Sequence, residues 1–150
     1  MAVIFVQGQV AVSDPNPGGP SATSNIKDVV VKAVKLTSAN FTTGGTNTLV
    51  AVLPADASIL NMQLLVETAL TGNSISAATV DIGATSGGAG YVSAASAFGA
   101  AGTNSMLSKL GGVEHYNVPL GADKPIWVKG TATTGSPTAG EMYLMVYYVR

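Results

Sequence analysis

SILNMQLLVET, residues 58–68, carries the clearest backbone signature in the chain. Leu60, Met62, Leu64 and Val66 fall in one phase, Asn61, Gln63 and Glu67 in the other. A period of two is that of a half-buried β-strand, because successive side chains leave a strand on opposite faces. Ile59 and Leu65 break the pattern. The same reading extends outward in both directions. Residues 77–83 alternate, with Ala78, Val80 and Ile82 against Thr79 and Asp81, after a turn at Thr71-Gly72-Asn73-Ser74. Residues 47–53 form a strand closed by Pro54 and preceded by the turn Thr43-Gly44-Gly45-Thr46-Asn47. Residues 28–37 (DVVVKAVKLT) are rich in β-branched side chains, but Lys32 and Lys35 lie in different phases, which a bulge or an edge position would explain. Three further strands follow at 112–118, 125–133 and 141–149, separated by Pro119-Leu120-Gly121 and Gly135-Ser136-Pro137.

Seven body strands with no helical period predict an all-β fold, a two-sheet β-sandwich. A jelly-roll topology is preferred, and an immunoglobulin-like sandwich without its disulfide competes with it. The body spans 26–150. Ahead of it, residues 2–12 alternate as well, with Ile4, Val6, Val10 and Val12 in phase and Gln7 and Gln9 opposite. The Pro/Gly-rich stretch SDPNPGGPSATSN, residues 13–25, excludes helix and central strand and is long for a connection inside a compact domain. Residues 1–25 therefore read as an extended N-terminal arm, a strand on a tether that pairs outside its own body. Between Asp81 and Lys109 the chain carries no charge, and within GATSGGAGYVSAASAFGAAGTNSM, residues 83–106, Tyr91 and Phe98 are the only large side chains apart from Met106. Residues 93–100 admit a short helix, but the glycines argue for a long ordered loop.

Charged residues make up only 10% of the 150 residues, against about a quarter in an average soluble domain, while 47% are apolar. Intrinsic disorder has the reverse composition. Surfaces poor in ions are packed against a partner at little desolvation cost. The net charge is −1 and the basic residues are scattered singly, which argues against nucleic-acid binding, since that needs clustered Lys and Arg. No run approaches the ~18 apolar residues of a membrane span. With no Cys, thiolate metal sites and Cys nucleophiles are absent and a reducing cytoplasm is a fitting place to fold. The opening MAVIFVQGQVAV lacks the basic start of a secretory signal, so the Asn40-Phe41-Thr42 sequon is read as chance.

Catalytic residues are not apparent. His115 is the only histidine, and Glu114 beside it points to the opposite strand face, so a two-His metal site is excluded within one chain and His115 is read as structural or exposed. There is no Gly-x-Ser-x-Gly elbow. Asp81 is read as capping the turn that follows its strand rather than as an acid or base. Gly87-Gly88-Ala89-Gly90 lacks the Lys-Ser/Thr of a phosphate loop and is read as a flexible or closely packed loop. No cofactor, metal site or enzymatic activity is expected. Trp127 is a core residue, an interface residue or a sugar-stacking platform. The final strand, MYLMVYYV at 142–149, is apolar in both phases where a two-layer sandwich needs one apolar face. Either loops or the long 84–110 segment cover its outer face, or Tyr143, Met145 and Tyr147 lie in a subunit interface, where aromatics and Met are enriched.

Three stretches carry a resemblance: LVAVLPADASILNMQLLVETA (49–69), ATVDIGATSGGAGYVSA (78–94) and GEMYLMVYYVR (140–150). Over roughly 47–150 the chain resembles the capsid decoration, or cement, proteins of tailed bacteriophages and related head-fibre sandwich modules. Their plan of "LP" before an apolar strand is met by Leu53-Pro54, and "V-x-I-G" leading into a Gly/Ala-rich loop with an aromatic by Val80 to Gly83 and Tyr91. The resemblance implies a jelly-roll-like homo-oligomer, commonly a trimer, on the outer surface of the capsid, made in the host cytoplasm and bound to the major capsid protein. The candidate subunit or capsid contacts are Ile4, Val6, Val10, Val12, Tyr91, Phe98, Trp127, Tyr143, Met145 and Tyr147. A receptor- or glycan-binding module of a phage head fibre or tail is the alternative. A small lyase or hydrolase has almost no residue support, and an adhesin or pilus subunit is disfavoured by the opening residues.

Overall fold

Six of the seven expected body strands form where the sequence reading places them. The computed structural model of the protein describes residues 28–106 and 120–150. The strands are β1 (Val29–Thr37), β2 (Phe41–Thr42), β3 (Thr46–Leu53), β4 (Ser58–Thr71), β5 (Ala77–Gly83), β6 (Val92–Ser96), β7 (Asn104–Met106), β8 (Lys124–Thr133) and β9 (Ala139–Val149). The N-terminal arm, the expected strand 112–118 and His115 lie outside the described residues.

Two sheets result. Sheet 1 has the order β1-β9-β4-β7, and sheet 2 runs β8-β5-β6 with β2 and β3 both on the other edge of β8. Apart from the two-residue β2, every neighbouring pair is antiparallel. Leaving β2 out, the remaining strands counted along the chain stand in the orders 1-8-3-6 and 2-7-4-5. That is the jelly-roll order, two Greek keys folded into a sandwich. The core lies between the sheets. Met142, Leu144 and Val146 of β9 and Met62 and Leu64 of β4 face Val80 and Ile82 of β5 and Ile126 and Val128 of β8, all essentially without solvent exposure.

The irregularities of the sequence have local causes. β4 and β9 lose register between Ile59 and Asn61, so a bulge at Leu60 turns Ile59 inward, fully buried, and leaves Leu60 37% exposed. Beyond it Met62, Leu64 and Val66 point inward as expected. β1 is an edge strand in unbroken register with β9. Lys35 extends from its outer face to Glu141 at 2.8 Å, whereas Lys32 shares the inward phase of Leu36 and reaches solvent because, among the described residues, no strand lies beyond it. An inward-pointing lysine of this kind is a known guard of exposed edges.

The region after β5 departs from expectation. Residues 92–96 are a strand, neither helix nor loop, pairing Val92 with Ile82 and Ala95 with Val80. Small side chains give no helical stripe to bury, whereas a short edge strand completes the backbone hydrogen bonding of β5. Asp81 also differs. It lies inside β5, and its carboxylate accepts a hydrogen bond from the Ala94 amide at 2.7 Å, holding the β6 bulge rather than the turn after β5. The sequon asparagine is engaged structurally. Asn40 accepts from the Thr37 amide (2.8 Å) and donates to Thr48 Oγ1 (3.0 Å) as the chain crosses between sheets.

Candidate interaction surfaces

The outer face of sheet 1 is built from three strands. β9 is central, and its odd-numbered residues Tyr143, Met145 and Tyr147 form a half-buried line on the outside, while the even-numbered residues enter the core. β1 sets Val31 against Tyr147, Ala33 against Met145 and Lys35 against Tyr143. On the other side β4 contributes Asn61, Gln63 and Leu65 opposite the same three residues. The Tyr147 hydroxyl donates to Gln63 Oε1 at 3.1 Å, with Met145 Sδ a second acceptor at 3.7 Å. This fixes the ring along the sheet, so the face presents aromatic edge and thioether rather than a free hydroxyl. Lys35 pairs with Glu141 at the rim of this face, both partly exposed, and Glu67 adds to the negative field on Lys35. The Glu141 hydrogen bond is the main reason that the Lys35 ammonium is held above the ordinary lysine pKa of 10.5.

The opposite side of the sandwich carries a second apolar strip. Trp127 of β8 is half-buried on the outer face of sheet 2, with Leu49 opposite it in β3. A register shift at Val50 brings Val52 to the same face beside Pro125, and Leu49 and Val52 are about half exposed. On the other side of Trp127 stands Gly83. The β5–β6 loop folds back here: a Cβ on Gly83 would meet the carbonyl carbon of Gly88 at 2.6 Å.

The structure therefore divides the residues singled out from sequence. Tyr143, Met145 and Tyr147 are brought together on one face. Trp127 is neither core nor part of that face. Phe98 is exposed on the crossover from sheet 2 to sheet 1. Tyr91 is fully buried in the core and presents no surface to a partner, because its amide bonds the Ile82 carbonyl and folds it under the sheet end. Ile4, Val6, Val10 and Val12 lie outside the described residues. Sequence reading missed Val31, Ala33 and Leu65. The signal was present as apolar residues in the second phase of 28–37 and 58–68, the same anomaly that marked 142–149.

Among the described residues no group of three or more His, Cys, Asp or Glu could hold a metal ion, and no helix is long and apolar enough to cross a membrane.

The chain matches no protein-family model and no curated protein. Its fold is that of chains from phage capsids. A chain of the cyanophage Pam1 capsid asymmetric unit superposes with a TM-score of 0.53 at 20% identity, over 99% of this chain and 97% of that one. A chain of the capsid of Ralstonia phage GP4 gives 0.51 at 18% identity, covering 93% and 91%. One from the acid-stable capsid of Helicobacter pylori bacteriophage KHP30 gives 0.50 at 14%, covering 83% and 94%.

Proposed function

We propose that this chain is a structural protein of a phage virion, a decoration or cement protein that binds the outer surface of the head and strengthens contacts between major capsid subunits. The observation that carries this reading is the outer face of sheet 1, where Tyr143, Met145 and Tyr147 lie on the central strand flanked by Val31, Ala33 and Leu65. Aromatic and Met side chains at the centre of a low-charge face are what a protein interface concentrates. The Trp127 strip on the other sheet gives each copy a second face, so one copy can touch two neighbours. The likeness to capsid chains over nearly the whole length supports the setting. The assembly proposed is a homo-oligomer, a trimer, in which weak contacts add through effective concentration.

Light scattering tests this on the purified chain alone and mixed with matching empty expanded heads. A trimer that saturates heads at a fixed copy number is expected. A monomer indifferent to heads refutes the reading, and glycan binding without head binding would replace it with a receptor-binding module.

A further inference from the structure

We infer that residues 2–12 of one copy add as a strand to the free edge of β1 in a second copy, with Gly8 placed opposite Lys32. This goes beyond head binding and does not depend on it.

Among the described residues β1 is the best template in the fold for an added strand. It is paired on one side only, through all nine residues, in unbroken register. The other edges are poorer: β7 has three residues, β6 is bulged, and β3 shifts register at Val50. β1 is also incompletely covered. Val29 is 60% exposed, and Val30 packs only partly against the core. An edge strand offers its outward amides and carbonyls to any extended segment, and added pockets set the register.

Lys32 is the obstacle to such pairing, and it also specifies the partner. The inward phase of β1 reads Val30, Lys32, Val34 and Leu36. The apolar phase of the arm reads Ile4, Val6, Gly8, Val10 and Val12. Only glycine leaves the lysine stem room to run past an added strand and out to water. With Gly8 opposite Lys32, Val6 and Val10 stand opposite Val30 and Val34 in either strand direction. Gln7 and Gln9 then fall opposite Val31 and Ala33 on the outer face. The arm has no charged side chain through residue 13, so its strand sets no cationic side chain against the two lysines. The partner is a second copy because of the tether. Residues 13–25 include Pro15, Pro17 and Pro20. If extended at ~3.1 Å per residue, a proline-rich segment of this length can reach a neighbour about 40 Å away, whereas hairpins favour loops of about two to five residues.

The cysteine-free chain makes the test direct. One full-length variant carries Ala33→Cys; two others carry Gln7→Cys or Gln9→Cys. Each arm variant is mixed with the Ala33→Cys protein and treated with a short bis-maleimide, without heads. A mixed dimer holding one copy of each variant, told from either homodimer by its cross-linked peptides, is expected, from Gln7→Cys if the strands are antiparallel and from Gln9→Cys if parallel. Replacing Ala33→Cys by Leu49→Cys, exposed on the other sheet, should abolish it. No mixed product with either arm variant overturns the inference. So does a double variant (Ala33→Cys with Gln7→Cys or Gln9→Cys) that cross-links only within its own chain.

Discussion

Ala94 holds a backbone conformation that L-residues avoid, with φ at 48°, in the bulge of β6. The Asp81 carboxylate, reaching across from β5, accepts its amide proton and makes that conformation hold. The left-handed region costs an L-residue about 1–2 kcal/mol, part of which glycine recovers against its own greater unfolded-state freedom. Ala94→Gly should therefore raise stability by about 0.5 kcal/mol, and Asp81→Ala should lower it by about 1 kcal/mol. Urea midpoints at constant slope measure both, and a stabilised Asp81→Ala protein would contradict the capping role. Lys35 makes a different kind of contribution. Its pKa is raised in the folded chain, chiefly by the Glu141 hydrogen bond. A folded-state pKa above the unfolded one means that the ion pair's stabilisation is complete at neutral pH and fades as pH rises through the lysine range. Lys35→Met should thus lie slightly below the parent at pH 7 and converge with it in strongly alkaline urea titrations. A gap that widens with pH would reverse that sign.

At the scale of elements, the sandwich depends on how β1 passes from sheet 1 to sheet 2. The passage is a short 3-10 turn, Ser38–Asn40, that delivers Phe41 into the core and lays β2 along β8. It fits because Gly130 of β8 has no side chain: a Cβ there would run into the Asn40 carbonyl. The obstacle is backbone, so it cannot swing aside as a flexible side chain would. Gly130→Ala should cost about 1–3 kcal/mol, read as a lowered urea midpoint with little loss of β circular dichroism. A neutral result would show that the crossover is looser than it looks. Such close approaches explain what sequence reading could and could not reach. Sequence reading placed β1, β3, β4, β5, β8 and β9 within a few residues, β4 and β5 by alternation and the others as apolar or β-branched runs between turns. It missed β6 and β7 since Ala, Ser and Asn give no hydrophobic phase to read, and those strands exist through backbone pairing to β5 and β4. Leu60, in phase with Met62 and Leu64 along the chain, lies outside the core, because a single bulged residue inverts the phase on its N-terminal side. The candidate interface was legible in Tyr143, Met145 and Tyr147, yet its completion by Val31 and Leu65 needed the pairing of three strands that no spacing along the chain encodes.

For the whole molecule, the decisive property is that β9 serves two environments at once. Met142 and Met145 lie three residues apart on the same strand; one is fully buried between the sheets and the other is half-buried on the outside. The same substitution at the two positions separates folding from assembly. Met142→Lys places a charge in an apolar core, a change that commonly exceeds about 4 kcal/mol and should leave the chain unfolded or aggregated. Met145→Lys adds a charge where its stem can lie along the Tyr143 and Tyr147 rings and its ammonium can stay in water, so stability should move by only about 0.5 kcal/mol. If sheet 1 is the contact face, that same lysine is buried on association and must lose its water, which an interface centre tolerates poorly. Met145→Lys should therefore melt like the parent, yet fail to self-associate or to saturate expanded heads in light scattering. Full association by a correctly folded Met145→Lys protein would remove this face from the assembly. The Trp127 strip would then be the surface to test, with Trp127→Lys as the counterpart, since Trp127 too is an outward residue between buried neighbours, Ile126 and Val128.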